Sequence, residues 1–212
     1  MVRRGAIVML VLTAGCSSAY YATMEKLGWE KRDLLVSRVE AARDSQDRAK
    51  TEFKDALEQF RSVVKVDGGE LEKRYDELRS AYEDADARAT DVRKRVAAVE
   101  DVGAALFREW SQEIEGMKDA DLRGRSQRLR KDSLGRYDRM LAAMKKAETS
   151  MTPVLDTMRD QVTFLKHNLN AKAVNAMRGN LTDIEGDVSR LVRDMERSIA
   201  EADAFISDLG AQ

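Results

Sequence analysis

The chain is expected to be all-α: an elongated, antiparallel up-down bundle or coiled coil of about four long helices. Three observations carry this. Apolar residues recur at alternating steps of three and four along most of the 212 residues. One proline and twelve glycines stand against 35% charged residues, the composition of long helices with charged outer faces. Finally, no stretch of useful length alternates apolar and polar residues as a half-buried strand would.

The first helix is expected over residues 19–66. Its stripe is Leu35, Val39, Ala42, Gln46, Ala49, Phe53, Ala56, Phe60 and Val63, and Gln46 is its one polar member. Asp67-Gly68-Gly69 follows, where glycine tolerates the positive φ that commonly ends a helix. The second helix, over 70–117, keeps the alternation without a slip from Leu71 and Tyr75 through Val92, Val96 and Val99 to Gly103, Leu106 and Trp110. A repeat sustained at 3.5 residues is the coiled-coil signature, since a straight helix drifts off it.

The third helix is expected over 121–167, after a weakly patterned patch from Gly116 to Gly135. Its stripe runs Leu134, Tyr137, Leu141, Met144, Glu148, Met151, Leu155, Met158, Val162, Leu165 and Leu169. Pro153 lies inside it. Proline removes a backbone donor and crowds the preceding turn, yet the register holds across it, so a kink is expected there. The alternative is a fresh helix capped by Thr152 with Pro153 in its first turn. A fourth helix over 171–209 carries Met177, Leu181, Ile184, Val188, Leu191, Met195, Ile199, Ala202, Ile206 and Leu209. Short connections between such helices favour antiparallel neighbours that bury each other's stripes. The many Ala, Val and Met positions imply close helix approach and a thin core.

Residues 1–15 have a different character. Arg3 and Arg4 precede the apolar run Gly5 to Leu12, then small residues Thr13-Ala14-Gly15, then Cys16, the only cysteine. This is the layout of a secretory signal, and the run is far short of the roughly 20 residues of a membrane span. Thr13-Ala14-Gly15-Cys16 resembles the lipobox of bacterial lipoproteins, although Thr13 stands where leucine is commonest. The resemblance implies cleavage before Cys16, acylation of its thiol, and, with Ser17 following, passage to the periplasmic face of the outer membrane. Acyl chains bind at about 0.8 kcal/mol per buried CH₂, so two or three hold a protein durably. Tyr20 and Tyr21 suit a membrane interface.

The mature chain also resembles a family of proteobacterial lipoproteins recorded as a domain of unknown function. The similarity rests on Tyr20-Tyr21 through Lys31-Arg32-Asp33, on Phe164 through Ala171, and on Met195-Glu196 through Phe205-Ile206. It implies an architecture and an envelope location and carries no activity.

Composition narrows the function further. Removing residues 1–15 takes two of the 37 basic residues and none of the 38 acidic ones, which leaves a net charge of −3. A nucleic-acid binder needs a basic face, so none is expected as partner. His167 is the single histidine, and no carboxylate stands at E-x-x-H spacing to make a metal site with it. With Asn168, Asn170 and Asn175 it forms a polar cluster, a candidate recognition spot whose plainer reading is a helix cap. Glu148, expected inward, reads as a register-setting or edge carboxylate.

The segment from Lys118 to Arg136 carries seven basic residues, among them Arg123, Arg125, Arg128 and Arg130, against three aspartates. It has the chemistry to meet lipid phosphates. Its plainer reading is a solvated, loosely structured connection. Arg74-Tyr75-Asp76 and Arg136-Tyr137-Asp138 echo each other, as two stripe tyrosines with charged neighbours. No phosphate loop, nucleophile elbow or dinucleotide fingerprint is found.

The expectation is therefore a non-catalytic envelope scaffold, spacer or adaptor with no cofactor and no small-molecule substrate. It is held to the membrane through Cys16 and binds another envelope protein. The alternative is a carrier or chaperone that shelters lipid or unfolded protein between its helices, for which stripe methionines offer an adaptable surface.

Overall fold

The computed structural model describes residues 31–65 and 70–210. They form four helices: α1 (Lys31–Val64), α2 (Leu71–Gly116), α3 (Ala120–His167) and α4 (Ala171–Gly210). At 1.5 Å per residue these are rods of roughly 50–70 Å. Each packs against its neighbours in sequence, and α1 packs against α4, which closes a four-sided up-down bundle. No strand occurs among the described residues. Cys16, Tyr20, Tyr21, residues 19–30 of the expected first helix and the Asp67-Gly68-Gly69 turn lie outside the described residues.

The stripe of α1 is buried as expected, and all nine positions from Leu35 to Val63 have no exposed surface. Elsewhere the buried line departs from the expected one by single residues. In α2 the seam holds through Val99 and then moves to Val102, Gly103, Phe107 and Ile114, while Leu106 and Trp110 are half-buried. A straight helix slips by about 20° per heptad, so five heptads carry the seam round by one residue.

In α3, Tyr137, Met144, Met151, Met158 and Leu165 are buried as expected. In the first part of the helix the second heptad position lies one residue earlier, with Ser133, Met140 and Ala147 replacing Leu134, Leu141 and Glu148, whereas Leu155 and Val162 are buried as expected. Glu148 therefore does not occupy the core, because apolar Ala147 takes that place and the carboxylate keeps its water. At its end, Leu169 is exposed.

Two alternatives left open by the sequence are decided. α3 is one helix across Pro153, so no fresh helix starts at Thr152. The basic segment is also helical from Ala120 on, and only Met117 to Asp119 stands outside helix. Asp119 supplies the missing start signal: its carboxylate accepts from the Asp121 and Leu122 amides at 2.9 and 3.0 Å. At the opposite end of the bundle, the Asn170 side chain accepts from Ala173 N and starts α4, and Arg178 donates to Val64 O at the end of α1.

A polar belt crosses the bundle near its middle. In α4 the buried position is Ser198, where Ile199 was expected. Ser198 Oγ donates to Gln46 Oε1 at 2.7 Å, and Gln46 Nε2 reaches Met144 O at 3.5 Å. On one flank Ser45 donates to Asp91, which also accepts from Arg95. On the other, Asp194 accepts from Lys146 and Ser150, both at 2.7 Å.

A buried polar pair of this kind fixes register, because slipping one helix leaves both groups unsatisfied. Gln46→Leu is expected to cost about 1–2 kcal/mol by orphaning Ser198. Adding Ser198→Ala should recover most of that loss in urea denaturation. Additive losses would count against the pairing.

Candidate functional site at the α2–α3 end of the bundle

The end at which α1 begins is the most differentiated part of the molecule. α4 is described to Gly210, near the level of Arg136, to which Asp208 is paired at 3.4 Å. α1 is described from Lys31, whose Nζ meets Glu109 at 2.6 Å. The end of α2 and residues 120–132 of α3 form a hairpin tip beyond the level of Gly210. Side chains of α3 staple the two arms. Trp110 Nε1 donates to Ser126 Oγ at 2.9 Å, Arg130 Nε to Phe107 O at 3.0 Å, and Arg123 Nε to Met117 O at 3.0 Å.

Below the tip lies an aromatic cluster. Phe107 meets Trp110 and Tyr137 at ring distances of 6.3 and 5.2 Å, and Tyr137 meets Phe205 at 6.1 Å. Burial, with Glu100, Asp138 and Asp101 nearby, pushes the Tyr137 phenol well above its ordinary pKa. It stays protonated and faces the backbone oxygens of Val99 and Glu100 at 3.4 Å. Gly103 makes room for that ring, since a Cβ there would overlap it. Beside the cluster a half-open cavity of about 290 Å³ is lined by Leu35, Leu106, Trp110, Phe205 and Leu209, with Arg32, Glu109 and Glu113 among its polar walls. Arg32 closes one side by donating to Leu209 O.

The basic residues singled out from the sequence divide into two kinds. Arg123 and Arg130 are spent on backbone carbonyls inside the hairpin. Arg125 and Arg128 are exposed, and neither makes an ion pair among the described residues. His167, Asn168 and Asn170 do not converge. His167 is exposed, Asn168 Nδ2 bonds Phe164 O within its own helix, and Asn170 caps α4. Among the described residues, no group of three or more His, Cys, Asp or Glu could hold a metal ion. No described helix is long and apolar enough to cross a membrane.

The charged groups are tuned for stability. Burial opposes the charge of Asp194, but its bonds from Lys146 and Ser150 outweigh this and lower its pKa. Asp91 is lowered by Arg95 first and also by Ser45, and Asp47 by Lys50. A carboxyl with a lowered native pKa takes up its proton later than in the unfolded chain. Its stabilisation is therefore present above the ordinary value of about 3.9 and is lost as pH falls through the native pKa. The urea midpoint should be flat from about pH 7 to 5 and drop below about pH 4. Asp194→Asn should lower the plateau and give a shallower drop. A parallel curve would exclude Asp194 as a contributor.

Compared with known proteins, residues 20–209 match the model of one family, described as proteins of unknown function (DUF2959). No curated protein and no solved structure matches the chain.

Proposed function

We propose that this chain, which belongs to the DUF2959 family of proteins of unknown function, is an envelope lipoprotein whose helical rod acts as a non-catalytic spacer, scaffold or adaptor. Cys16 carries the acyl chains, at the periplasmic face of the outer membrane. The observation that supports the reading best is the closed seam. Buried positions run nearly the whole length of all four helices, and the long outer faces are charged. A rod closed along its seam resists bending and presents side surfaces to a partner. The lipobox at Thr13-Ala14-Gly15-Cys16 lies fifteen residues before Lys31, so the tether between the acyl chains and the rod is short in sequence.

Metabolic labelling with a fatty acid tests the anchor, with Cys16→Ala as the control. Label in the wild type alone is expected, and an unlabelled wild type would remove the localisation. Crosslinking in intact cells followed by mass spectrometry tests the adaptor role, with one defined envelope partner as the expected result.

The 290 Å³ cavity favours a second reading, a carrier of an apolar ligand. It is small for a whole lipid, since ligand pockets span about 300–1,000 Å³. Organic extraction of the purified chain separates the two readings. Stoichiometric lipid would support the carrier, and none would support the spacer.

A further inference from the structure

We draw no further inference here: the strongest candidate, the half-open cavity of about 290 Å³ between Leu35, Trp110 and Phe205 at the α2–α3 end of the bundle, belongs to the site already described, and nothing among the described residues shows what covers it.

Discussion

Phe53→Ala is expected to lower stability by about 3–5 kcal/mol, the cost of emptying a fully buried phenylalanine site. Phe53 has no exposed surface and stands in the α1 seam between Ala49 and Ala56. Along the stripe its neighbours Ala49 and Ala56 are too small to fill the space, and Leu57 is the one large buried side chain within a turn of it on α1. Urea denaturation followed by far-ultraviolet circular dichroism measures the loss, with a melting point lower by roughly 10 °C. Leu122→Ala serves as the contrast. That side chain is 57% exposed and should change stability by less than about 0.5 kcal/mol. A loss below about 1 kcal/mol at Phe53 would mean that the rods do not close around it.

Gly103→Ala should reverse the usual sign. In an open helix position alanine gains about 1 kcal/mol over glycine. At Gly103 the new methyl would overlap the Tyr137 ring, which Phe107 and Phe205 hold at 5.2 and 6.1 Å. The ring cannot withdraw without breaking that cluster, so a net loss of about 2–3 kcal/mol is expected. Adding Tyr137→Leu to Gly103→Ala should cost less than the two changes summed, by about 1 kcal/mol or more in a double-mutant cycle. Gly186 is the control. Nothing lies near its Cβ position, and Gly186→Ala should stabilise. A stabilising Gly103→Ala would show that α2 and α3 are further apart there than the structure has them.

Which residues were legible beforehand follows from how local their signal is. The α1 stripe reads cleanly through its middle because Val39, Ala49 and Phe53 each stand between two charged residues. In α3 and α4 two apolar or small residues often stand side by side. There, hydrophobicity favoured Leu141 over Met140 and Ile199 over Ser198, and contact with the neighbouring helices decided otherwise. Ser198 is buried because Gln46 waits opposite it, 152 positions away. No spacing rule carries that information.

The tip divides in the same way. Its positive charge was plain from composition, but the division of its arginines was not. Arg123 and Arg130 turn inward to Met117 and Phe107, and Arg125 and Arg128 face water. Leu122 and Leu129 fall within the expected helix over 121–167 but outside its expected stripe, because the patch from Gly116 to Gly135 is weakly patterned. The line through Ser126 and Ser133 becomes visible as a stripe only once Asp119 is recognised as a cap.

By itself, then, the sequence determined the helical class, the four helices of the described residues and the breaks between α2, α3 and α4, and the α1 seam. Periodicity and glycine or asparagine punctuation act over neighbouring residues and need no partner to be read. Only the tertiary structure decided which flank of each stripe faces inward, that Gly103 seats Tyr137, and that Leu122 and Leu129 stay exposed. Those features depend on where distant segments meet, and burial is a property of the meeting and not of either segment alone.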